Sequence, residues 1–96
     1  MNLPDLDKLI RNQLLGEIAE AGVPPEAIDD TLVTSFMPQK INSLIVANEY
    51  VLEDAKRMAG LSFTHAASAL LNHIIPAHDR RISDLRALKT NYPDIG

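Results

Sequence analysis

The sequence predicts an all-α protein, a small bundle of four or five helices in a single domain spanning residues 1–96. Three observations predict it. Apolar residues recur three and four apart along most of the chain, while the alternation expected of strands is almost absent. Proline, glycine and capping residues cut that pattern into helix-length pieces. A chain of 96 residues is also too short to divide its core between two units.

The first helix is expected from about Pro4 to Ala21, with Asn2 or Leu3 at the cap. Asp5 and Asp7 sit near the positive end of its dipole. Leu6, Ile10, Leu14 and Ile18 repeat every four residues, Leu9 and Leu15 widen the stripe, and Gly22 is the natural stop. A second helix opens at Pro24-Pro25 with the acids Glu26, Asp29 and Asp30, and carries Ile28, Leu32 and Phe36.

The third helix is expected from Pro38 to Ala59, ended by Gly60. Its apolar period changes. Ile41, Leu44, Asn48, Val51, Ala55 and Met58 alternate three and four apart, a heptad seam with Asn48 at a central position. Ile45, Leu52 and Ala59 lie beside it, so the stripe is broad enough to pack on two sides. Two readings fit: an ordinary core helix with one tolerated Asn, or a self-association helix in which Asn48 sets the register. A small domain without disulfides or metals gains from burying apolar surface in a dimer, so a homodimer through those six residues is expected.

Phe63, Ala66, Ala67, Leu70, Leu71 and Ile74 line a fourth helix, and Ile75, Ile82, Leu85 and Leu88 a fifth. Pro76 either opens the fifth helix or kinks one long helix from Ser62 to about Thr90. The bias of proline against helical geometry at Ile75, with Asn72 as a left-handed terminator, favours a break. The closing residues Thr90 to Gly96 form a tail that can dock as an extended segment. The expected core is Leu6, Ile10, Leu14, Ile28, Leu32, Ile41, Leu44, Ile45, Leu52, Phe63, Leu70 and Ile82.

Composition narrows the classes of function. Apolar residues make up 46% of the chain and the mean hydropathy is −0.04, as in soluble globular domains. Apolar runs such as Leu44 to Ala47 are far shorter than the ~20 residues of a membrane span. The N-terminus has aspartates where a signal peptide has cations, so a cytoplasmic protein is expected. With no cysteine, disulfides, thiolate catalysis and zinc–cysteine sites are excluded. The net charge is −4 and unevenly placed. Residues 1–36 hold seven acids against two bases, residues 37–59 three of each, and residues 60–96 four bases against three acids. A polyanion could be met only at the C-terminal end, through Arg80, Arg81, Arg86 and Lys89.

That end resembles small phage-type helix-turn-helix proteins. The matching residues are Gly60-Leu61-Ser62, the alanines Ala66 and Ala67, the run Arg81-Ile82-Ser83-Asp84-Leu85-Arg86, and Tyr92-Pro93. The resemblance covers about 37 residues and implies a recognition helix whose four cations meet phosphates or bases. It departs from that pattern at Asn72, at the apolar linker His73-Ile74-Ile75, and at Asp79 and Asp84. Residues Ser35 to Asn42 resemble the signature loop of the fumarase and argininosuccinate lyase superfamily. There the loop supplies a catalytic serine, but it works with side chains from distant regions that a chain of this length does not contain. Here it is expected to be a loop entering a helix.

Catalysis has little else to rest on. His65, His73 and His78 lack the i, i+4 spacing that places two imidazoles on one metal, so no metal or cofactor is expected. The acid pairs Asp29-Asp30 and Glu53-Asp54 diverge by about 100° on a helix. Thr64 and His65, as helix neighbours, cannot face each other as nucleophile and base. Two functions are therefore expected. The first is a non-enzymatic adaptor acting through helix-mediated contact with itself, or with a protein partner through the acidic N-terminal helices. The second is a small DNA-binding regulator of helix-turn-helix type.

Overall fold

The computed structural model describes residues 2–61 and 65–93, and at Ala66 the backbone alone. The chain is all-α, with no strand among the described residues. Helix α1 spans Leu3–Glu20, a short 3-10 turn Pro25–Ala27, α2 Asp30–Leu61, and α3 His65–Ala69. A π-helical turn, Leu70–Ile74, then leads directly into α4, Ile75–Lys89. Among the described residues the helices form three rods, where the sequence predicts four or five separate helices: α1, α2, and the path from α3 to α4.

Helix α1 begins where the side chain of Asn2 accepts the backbone N–H of Asp5 at 2.9 Å. It ends in a Schellman motif. Gly22 has φ +91°, its N–H reaches the carbonyl of Ala19, and the N–H of Val23 reaches that of Ile18. The backbone at Gly22 is left-handed, which is why the stop must fall on a glycine.

The next two boundaries differ from expectation. The prolines Pro24-Pro25 start only the 3-10 turn, after which Ile28 is extended. Helix α2 starts at Asp30 instead, because the carboxylate of Asp29 caps the N–H of Leu32 at 2.8 Å. From there α2 runs unbroken through Pro38 and includes Gly60. The expected loop at Ser35 to Asn42 is therefore helix interior, and the hydroxyl of Ser35 donates to the carbonyl of Leu32.

Packing explains why Pro38 does not end the helix. An interior proline costs about 3 kcal/mol through its missing N–H and its ring clash. Val33, Met37, Ile41 and Ile45 are all buried, one turn apart on both sides of it. Met37 and Ile41 are 0% exposed. Each fully buried side chain of this kind stabilises by about 1.5–3 kcal/mol, so two suffice to offset the proline.

The second expected break is also absent. Torsions at Ala69, Ile74 and Ile75 are all right-handed helical, and no non-glycine residue among those described has positive φ, so Asn72 is not a left-handed terminator. The N–H of Ile75 bonds the carbonyl of Leu70, five residues back. This wider turn relieves the conflict between Pro76 and the turn before it. The turn of a helix-turn-helix is thus replaced by continuous helix.

The core joins Leu6, Ile10, Leu14 and Ile18 of α1 to the α2 stripe and to Leu85 and Leu88 of α4. Of the expected core, Ile28, Leu32, Leu44 and Leu70 are only half-buried, and Phe63 lies outside the described residues. Leu52, Ala55 and Ile82 are buried beyond that main cluster.

The molecule is long, 54 × 27 × 25 Å. Its radius of gyration of 16.5 Å exceeds the ~12.5 Å of a compact chain this size. The cause is unequal rod length. Helix α2, with 32 residues, is about 48 Å long, whereas α1, with 18 residues, reaches about 27 Å.

Candidate functional site

Unequal rod lengths leave one side of the molecule unfinished. Leu44 of α2 and His78 of α4 line a cleft shared with Leu6 and Gln13 of α1, so this is the side α1 covers. Val51 and Met58 stand seven and fourteen residues beyond Leu44 and so continue the same face. On the returning rod, Ile74 lies about one turn before His78, and Leu71 stands three residues earlier in the wider π-helical turn. All four are open: Val51 is 44% exposed, Met58 51%, Leu71 57% and Ile74 40%. Past the end of α1, the apolar face carries no third helix among the described residues. Tyr50 and Leu61 are also largely exposed, on the outer side of α2.

The six residues of the heptad seam therefore divide. Ile41 and Ala55 are buried in the chain's own interior, and Leu44 packs half-buried against the core. Asn48 is engaged within the chain at both ends of its amide. Its Nδ2 donates to the carbonyl of Leu44 at 2.7 Å, and its Oδ1 lies 3.0 Å from Nδ1 of His78. Val51 and Met58 remain open to a partner.

The four cations of α4 do not form one surface. Arg86 donates to Glu49 at 2.8 Å. Arg81 lines the α1–α2–α4 cleft and also, with the exposed Arg80 and with Asp84, an adjoining pocket. Lys89 is half-buried, and its position nine residues after Arg80 puts the two on opposite sides of the helix. His65 and His73 are exposed and stand apart from His78.

Three of the seven acids of the N-terminal third, Asp7, Glu17 and Asp29, bond within the chain. Asp29 caps α2, and Glu17 accepts from Lys40. Asp7 belongs to a cluster that residue spacing did not single out. Arg11 donates through Nε to Asp7 at 2.9 Å, through Nη1 to the hydroxyl of Thr34 at 3.1 Å and through Nη2 to that of Tyr92 at 2.7 Å. Tyr92 in turn donates to Asp7. The Arg11 guanidinium also lies 5.7 Å from the centre of the Tyr92 ring. Burial alone lowers the pKa of Arg11, but hydrogen bonds to Asp7 and Tyr92 outweigh it and the net shift is upward. Burial, followed by the hydrogen bond to Asp7, raises the phenol of Tyr92 above its usual range. The only advance signal was the i, i+4 spacing of Asp7 and Arg11.

The cleft between the three rods has a volume of about 270 Å³. Leu6, Ile10 and Leu44 give it an apolar floor, and Asn48, His78 and Arg81 a polar wall. No carboxylate pairs with Arg81 among the described residues. No helix among them is long and apolar enough to cross a membrane. Compared with protein-family models, with curated proteins and with solved structures, the chain matches none.

Proposed function

We propose that this protein is a non-enzymatic helical adaptor that acts by helix-mediated contact, pairing with a second copy of itself through the uncovered half of the α2–α4 hairpin. The observation that carries the reading is the open apolar stripe of Val51, Met58 and Ile74, in phase along their helices with the Leu44 and His78 that line the cleft beside α1. A two-helix arm of this kind completes a four-helix bundle when it meets its own copy. Charge favours that partner: residues 37–59 carry three acids and three bases, so two copies meet there without net repulsion. The acidic N-terminal third would repel its like.

In this arrangement the register is set by apolar packing of Val51 and Met58 rather than by an Asn48 pair. Sedimentation equilibrium at micromolar concentration tests the reading. A dimer is expected for the natural chain, and a helical monomer for the double variant Met58→Glu, Ile74→Glu. A clean monomer of the natural chain removes it.

A further inference from the structure

We propose that the cleft between α1, α2 and α4 is a binding site for a small aliphatic monocarboxylate. The site is built before any ligand arrives. Asn48 is fixed by the Leu44 carbonyl on one side and His78 on the other, at 2.7 and 3.0 Å. Since the Asn48 amide nitrogen faces Leu44, its oxygen faces the ring, and Nδ1 of His78 carries the hydrogen. The ring is thereby oriented at the cleft wall beside Arg81.

Arg81 marks the ligand's charge. It is half-buried, lines the cleft, and has no carboxylate partner among the described residues of a chain with thirteen acids and nine bases. Asp84 stands one turn along the same helix and still forms no ion pair with it. A partly desolvated guanidinium without a counter-ion favours an anion that supplies planar, paired oxygens.

The floor marks the ligand's other end. Leu9, 37% exposed, and the half-buried Leu44 turn apolar surface to the cleft, with Leu6 and Ile10 packed beneath. A doubly charged or sugar-like ligand would leave this surface unused or its own polar groups unpaired. The cleft volume of about 270 Å³ restricts the ligand to a small molecule. A carboxylate bearing a five-carbon tail fits that size.

The experiment is an amide-resolved NMR titration of the full chain with hexanoate, repeated with 1-hexanol and with hexylammonium. Hexanoate is expected to bind and to shift the amides around Gln13, Asn48, His78 and Arg81. The alcohol should bind at least about tenfold more weakly, and the ammonium ion not at all. Arg81→Gln should weaken hexanoate by about tenfold or more, Arg81→Lys by less, and Lys56→Gln, at an exposed position of α2 away from the cleft, should leave it unchanged. Should Arg81→Gln lose its helical circular dichroism, the three-ligand series on the natural chain still decides. Equal binding of hexanoate and hexanol, shifts that fall elsewhere, undiminished binding by a folded Arg81→Gln, or no binding at millimolar hexanoate would each overturn the proposal.

Discussion

Arg11 donates a hydrogen bond to the hydroxyl of Tyr92 at 2.7 Å, across 81 positions of sequence. Asp7 accepts from both residues, so three side chains close one ring of hydrogen bonds between α1 and the C-terminal tail. Thr34 brings α2 into the same cluster. Tyr92 thus ties the described part of the tail to α1 directly and, through Arg11, to α2.

Tyr92→Phe keeps the ring and removes the hydroxyl, leaving the Asp7–Arg11 pair in place. We expect a loss of about 1–2 kcal/mol in urea unfolding, because two part-buried charged groups lose a partner. For a domain of this size each kcal/mol lowers Tm by about 4–8 °C. A variant as stable as the natural chain would show that the ring of hydrogen bonds contributes nothing.

The same hydroxyl should titrate late. In the Tyr50→Phe background, the one remaining phenol is expected to ionise above the ordinary value of 10.0. The folded pKa is raised, so the proton is held more tightly in the folded state. The associated stability is fully present below the unfolded value and is lost as pH rises through the folded one. Ultraviolet absorbance of the phenolate reads the midpoint directly; a midpoint at or below 10.0 contradicts the geometry.

Pro38→Ala restores an N–H that can reach the carbonyl of Thr34 within an unbroken helix. Stability should rise by about 1–3 kcal/mol, since alanine is favoured over proline by roughly 3 kcal/mol in a helix interior. Were α2 two helices joined at this point, the substitution would leave the melting temperature unchanged or lower it.

His78 should be found in one tautomer. With Asn48 Oδ1 facing it at 3.0 Å, the neutral ring must carry its hydrogen on Nδ1. Long-range proton–nitrogen NMR distinguishes the two forms. In Asn48→Ala the preference should disappear, and a ring that holds its hydrogen on Nε2 in the natural chain would remove the bond.

Much of the fold could be read from residue order, because the governing signals are local. Asn2, Gly22 and the four-residue repeat from Leu6 to Ile18 specify α1 without reference to anything distant. The two misplaced breaks share one cause. Pro38 and Pro76 disrupt a helix by local rules, but what happens there depends on burial of Met37 and Ile41 in one case and on a widened turn in the other. Placing a break at Pro38 also hid Val33 and Met37, whose repeat spans it. The face of Val51 and Met58 was visible as part of a seam, whereas its division was not. Which half α1 covers depends on the relative lengths of two rods. The cleft at Arg81 is less legible still, since its walls come from residues as distant as Leu6 and Leu85.

A rod twice as long as it is wide, 54 × 27 × 25 Å, also governs how this protein moves through solution. Drag depends on shape as well as mass, so a single chain diffuses more slowly than a sphere of equal weight. On a gel-filtration column calibrated with round standards, the lone chain elutes early and imitates a larger species. End-over-end tumbling is slowed more than spin about the long axis, so amide relaxation along α2 is anisotropic. Its pattern reveals whether one rod or a joined pair is turning.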